Sequence, residues 1–150
     1  MKVLGHPVHL ILVHFPSALF PVDWLLCVMG MVTGTTSFYP AAFYVLAVGV
    51  VSGWFTILAG VADAVRLQAN ERLFKKAIVH GAINATIVMI YSVLVFRQMK
   101  LYHGLTAPSW YLLAFKFTLI LALAFGNYLG AELVLRYGVG TIKDKHDTAA

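Results

Sequence analysis

Three histidines, His6, His9 and His14, fall within the eleven-residue stretch HPVHLILVHFP, and a fourth, His80, heads the stretch HGAINATIVMI. Neutral imidazole is the commonest metal ligand among side chains, and a b-type haem is held by axial ligands of this kind. An axial pair needs two imidazoles on different helices at one depth. His14 and His80 meet that description on spacing and are the preferred pair. His9 precedes His14 by about 140° of turn on an ideal helix. It is therefore expected to face elsewhere, and with His6 to ligate a second metal or to meet a haem propionate. Pro7 and Pro16 blur where the first helix starts, so spacing alone does not separate His9 from His14 as a ligand.

Other polar residues fall near the same level. Asp63, Asn84 and Glu132 join the histidines as candidate cofactor-binding residues, and Arg72, Lys75, Lys76 and Arg136 are the cations available to propionates. His6, His9, His14 and His80 with Asp63 or Glu132 are also a donor set for zinc or copper, although no CxxC or HExxH pattern is present. His80, Asn84 and Asp63 offer a proton or quinone site as a further alternative. Nucleophilic catalysis has little support, because no GxSxG elbow surrounds any serine. GVGTIKD in the tail follows no strand and is not a phosphate loop. The single cysteine, Cys27, can form no internal disulfide.

The elements that must position these residues are membrane helices. The chain has 150 residues, of which 61% are apolar and only 11% charged, against about 25% charged in soluble domains. Mean hydropathy is +0.84. Four apolar stretches, roughly 10–34, 41–64, 77–97 and 109–134, each approach the ~20 residues that cross a bilayer. The expected fold is an all-α membrane protein, an antiparallel four-transmembrane-helix bundle forming one domain over 1–150. The opening MKVLG lacks the basic region of a signal peptide, so the first span reads as retained.

Lys and Arg set the expected orientation. Lys2, Arg66, Arg72, Lys75, Lys76, Arg136, Lys143 and Lys145 flank one side; Arg97 and Lys100 flank the other. That asymmetry puts both termini in the cytoplasm. The net charge of +5 reads as topology and lipid contact, not nucleic-acid binding. At 1.5 Å per helical residue, His80, Asp63 and Glu132 lie about 5–6 Å inside the cytoplasmic edge and His14 about 8 Å. Ionisable groups in a bilayer are expensive and tend to face a bundle interior; the bland alternative is that residues so near the edge snorkel to water. Asp23 lies deeper, and Lys116 has a stem long enough to reach inward, so the two are either a structural pair or part of a proton path. His103 is expected in the outer loop, exposed. Gly49 with Gly53 and Gly126 with Gly130 have the spacing of close helix packing, which also leaves room for a flat cofactor.

The stretch from His6 to Pro16 resembles the opening motif of a family of uncharacterised bacterial four-helix membrane proteins, a domain of unknown function. Gly60-Val-Ala-Asp63, His80 with Asn84, and the closing segment from Gly130 to Gly140 agree with it, so the resemblance covers nearly the whole chain. Leu10 departs from the pattern, where the family often has a second proline. The resemblance implies a bacterial inner-membrane location. Relatives sometimes fused to Rieske iron–sulfur or c-type cytochrome domains imply membrane electron transfer by association. The expected function is thus an electron-transfer subunit with b-type haem near the cytoplasmic leaflet, next to a quinone site in one version, and with a redox protein or membrane-complex subunit as partner. The alternatives are a cofactor-free accessory subunit of a larger complex and a metal or proton transporter.

Overall fold

The computed structural model of the protein describes residues 2–3, 6–101 and 104–139. Two short antiparallel strands, β1 (Lys2–Val3) and β2 (His6–Pro7), lead into a one-turn helix α1 (Val8–Leu12). Four long helices follow: α2 (His14–Thr33), α3 (Phe38–Ala64), α4 (Glu71–Met99) and α5 (Trp110–Tyr137). The four spans expected from hydropathy are all present. Counting α1 and α2 together, they run 26 to 29 residues, or about 39–44 Å at 1.5 Å per residue. That exceeds the ~30 Å hydrocarbon core of a bilayer, so each helix has turns to spare outside it.

Local chemistry explains the boundaries. Pro16 has no N–H to donate to the Leu12 carbonyl, and its ring crowds that carbonyl; the ladder of helical hydrogen bonds is interrupted at Val13, between α1 and α2, while the Val13 backbone stays helical at φ −60° and ψ −25°. Helix α2 stops at Gly34, whose φ of 69° is left-handed, a conformation that costs glycine nothing. Asn70 caps α4 by accepting from the Leu73 N–H at 3.2 Å, and Glu71 pairs with Lys75 one turn on at 2.7 Å. Capping and this pair keep the polar opening of α4 helical from Glu71, ahead of residue 77 where hydropathy alone begins the span. Ser109 caps α5 in the same way through the Leu112 N–H.

The helices pack as a closed ring, α2 on α3, α3 on α4, α4 on α5 and α5 back on α2, while α1 lies against α3. The central core holds Phe20, Leu46, Val50, Ile87, Val88, Tyr91, Leu119 and Leu123. Phe20 stacks on Tyr91 with centroids 4.1 Å apart. Gly49 and Gly53 serve this contact, since a Cβ at either would stand 2.9 Å from Phe20 or Val88. Phe55, Phe96, Leu121 and Phe125 lie exposed on the outer faces, an apolar surface that a bilayer covers. Helices of this length and composition imply contact with lipid.

Candidate site in the imidazole layer

One end of the ring gathers α1, the last turns of α3, the first turns of α4 and the last turns of α5. Two imidazoles meet there. The ring of His9, on α1, and that of His80, on α4, have centroids 6.2 Å apart and planes at 87°. His9 Nδ1 lies 3.0 Å from the Thr56 carbonyl on α3, and His80 Nδ1 lies 2.7 Å from the Gly126 carbonyl on α5. A carbonyl only accepts, so each Nδ1 carries the hydrogen and donates it. The Nε2 atoms are then the unprotonated nitrogens, with lone pairs available. Metal-binding histidines are oriented by this kind of hydrogen bond from the opposite ring nitrogen.

Glycines make room for both rings. A Cβ at Gly60 would stand 3.0 Å from His9 Cε1, and one at Gly130 would stand 2.6 Å from His80 Cε1. The sequence pairs Gly126 and Gly130 as a helix-packing motif. In the structure this α5 pair receives polar side chains: Gly130 the ring of His80, and Gly126 the amide of Asn84, whose Oδ1 lies 2.8 Å from the Cβ position.

The polar belt continues through α5 to α2. Asn84 Nδ2 donates to the His80 carbonyl at 3.1 Å. It also lies 3.2 Å from His80 Nδ1, but that nitrogen already gives its hydrogen to Gly126 and has no lone pair in this tautomer. Asn127 Nδ2 donates to Ser17 Oγ at 2.9 Å, and the Ser17 hydroxyl donates to the Val13 carbonyl at 2.7 Å.

The structure redistributes the residues expected at the site. His14 does not face His80: it is exposed, with Nδ1 3.3 Å from the Ile11 carbonyl of its own chain segment. His9 takes that place. The backbone winds on helically through Val13, so the two histidines keep the roughly 140° that five residues give; α1 lies against α3 with His9 on the inner side, and His14 opens α2 on the outer face. Asn84 is beside His80, as its four-residue spacing requires. Asp63 is half-buried on the last turn of α3, three residues past Gly60. Glu132 turns to cations, meeting Lys76 at 2.8 Å and Arg136 at 3.1 Å, with Tyr137 Oη 3.2 Å from Lys76. The Lys76 ammonium and Arg136 guanidinium named for propionates thus already face a carboxylate. His6 lies in β2; its side chain, His103, Lys143, Lys145 and Gly140 lie outside the described residues. Sequence reading missed Asn127, Ser17 and the Thr56 carbonyl. An amide directly after Gly126, within an apolar span, is the signal that marks Asn127.

Among the described residues no third His, Cys, Asp or Glu joins the two imidazoles as a metal-binding group. A family model described as "Predicted membrane protein (DUF2231)" matches residues 5–143. No protein of curated function matches the chain, and no solved structure does.

Proposed function

The chain belongs to the DUF2231 family of predicted membrane proteins, a family of unknown function, and from its own residues we propose that it is a membrane electron-transfer subunit whose His9 and His80 would hold a b-type haem. The observation that carries the reading is the pair itself: two rings 6.2 Å apart, each with Nδ1 tied to a backbone carbonyl. A metal ion sits about 2 Å from an imidazole nitrogen, and adding the ring radius on both sides puts two rings on one ion roughly 6 Å apart. The donor set fits a haem better than a bare zinc ion, which takes four ligands in a structural site and three in a catalytic one. Two imidazoles are the donor set that would hold a haem iron.

Bound there, haem supplies a one-electron couple. This chain's residues would set its surroundings. Thr56 and Gly126 fix the imidazole tautomers, and Gly60 and Gly130 leave the room in which the rings sit. The excess of Lys and Arg at this end supports a place near the cytoplasmic leaflet with both termini cytoplasmic, and the family resemblance implies a bacterial inner membrane. A single electron carrier passes charge to a neighbour, so a redox protein or a further membrane subunit is the partner the reading requires.

The test is the optical spectrum of the full-length protein purified from haem-replete cells, before and after dithionite. A low-spin Soret band that shifts on reduction is expected in the wild type and in His14→Ala, and is expected to be lost in His9→Ala and His80→Ala. A colourless preparation that takes up no added haem overturns the proposal and leaves the cofactor-free accessory subunit. Low-spin haem retained in both His9→Ala and His80→Ala removes the ligand assignment.

A further inference from the structure

Among the described residues, two buried oxygens in the imidazole layer, Asn84 Oδ1 and Asn127 Oδ1, have no hydrogen-bond partner. Rotating either amide costs the belt a bond elsewhere. The Asn127 Nδ2 meets Ser17 Oγ, whose own hydrogen is given to Val13; turning that amide over would take the Ser17 hydrogen from Val13 and leave Asn127 Nδ2 without an acceptor. The Asn84 Nδ2 meets the His80 carbonyl, and the same rotation would oppose two acceptors there. With the hydrogen-bond directions that the belt shows, both amide oxygens are left to take a donor from outside it.

Both sit at one level of the bundle. Asn84 Oδ1 rests on the bare face of Gly126, and Asn127 is the next residue along α5. Buried acceptors without donors are rare in folded proteins, and in a membrane no bulk water compensates them. The nearby Nε2 atoms of His9 and His80 are acceptors too, so nothing in the belt supplies the missing hydrogens.

We infer that Asn84 Oδ1 and Asn127 Oδ1 each accept from a molecule that donates O–H hydrogen bonds, either water drawn in from the membrane surface or a hydroquinone taken from the bilayer. An oxidised quinone offers only acceptor oxygens and does not fit these two groups. The inference stands whether or not the imidazoles hold iron. It needs only the amides, and its readout is theirs.

The experiment is isotope-edited infrared spectroscopy of the full chain in lipid nanodiscs, with asparagine labelled at the side-chain carbonyl. The chain has three asparagines, Asn70, Asn84 and Asn127, so Asn84→Leu and Asn127→Leu assign the bands. In hydrated, quinone-free discs, carbonyl stretches at the hydrogen-bonded position that move to the free position on drying identify water. Stretches at the free position that move on titration with a short-chain hydroquinone, and not with its quinone, identify the hydroquinone. Stretches that stay free under both treatments overturn the inference. The wild-type bands decide the matter by themselves if either variant fails to fold.

Discussion

Two polar clusters lie inside this bundle, and they differ in whether their bonding capacity is used up. In the first, Lys116 Nζ on α5 meets both carboxylate oxygens of Asp23 on α2 at 3.0 and 2.8 Å. Cys27 Sγ lies 3.8 Å from the same ammonium. The Tyr91 hydroxyl donates to the Lys116 carbonyl at 3.3 Å. Asp23 is 0% exposed and Lys116 1%. In the second, the imidazole layer, two Nε2 lone pairs and two amide oxygens are left over. A cluster that is closed and bidentate has little left to offer a ligand; it fixes α2 against α5. A cluster held by backbone carbonyls yet short of donors keeps hydrogen-bonding capacity to spare. Of the two readings that the sequence allows for Asp23 and Lys116, the contacts favour the structural pair.

The sharpest way to break that contrast is to remove one charge from the closed cluster. Lys116→Met or Asp23→Leu alone leaves an uncompensated group inside the bundle, a loss of about 3–5 kcal/mol. The double variant Asp23→Leu/Lys116→Met removes both charges and is expected to recover most of that loss, because burying two charges carries its own desolvation cost. Thermal unfolding in detergent, followed by circular dichroism, reads all three. Single variants as stable as the wild type would mean that water reaches the pair and that the first cluster is open as well.

The glycines sharpen the contrast at the second cluster. Gly130→Ala puts a methyl 2.6 Å from the His80 ring, so the ring must move and its bond to Gly126 must strain. Overpacking of this kind costs about 1–3 kcal/mol. Gly60→Ala, at 3.0 Å from His9, is expected to cost less. Gly81→Ala meets nothing within 4 Å and gains roughly 0.5–1 kcal/mol from helix propensity. The order Gly130, Gly60, Gly81 in melting temperature, lowest to highest, is the expected result. A Gly130→Ala variant as stable as Gly81→Ala would show that the imidazole layer is loose, not braced.

The four spans were legible because a bilayer demands a length of apolar residues that composition reveals directly. Asp23 and Lys116 stood out as the charges deep inside spans, and their pairing followed from side-chain reach. The site was only half legible. His80 and Asn84 share one uninterrupted helix, so periodicity placed them together. His9 and His14 lie on different sides of one winding, as their five-residue spacing requires, but spacing alone does not say which of them turns inward. Asn127 was missed because its partner Ser17 lies on the opposite end of the chain, and only the closed ring of helices brings α5 beside α2.

The two histidines yield the smallest and most specific expectation. His14 is exposed and its one hydrogen bond, at 3.3 Å, is to its own segment. His14→Ala should therefore shift stability by no more than about 0.5 kcal/mol. His9→Ala removes a 3.0 Å bond to α3 and empties the seat beside Gly60, with an expected cost of about 1 kcal/mol or somewhat more. His9→Ala and His14→Ala indistinguishable in stability would mean that the two histidines exchange roles freely.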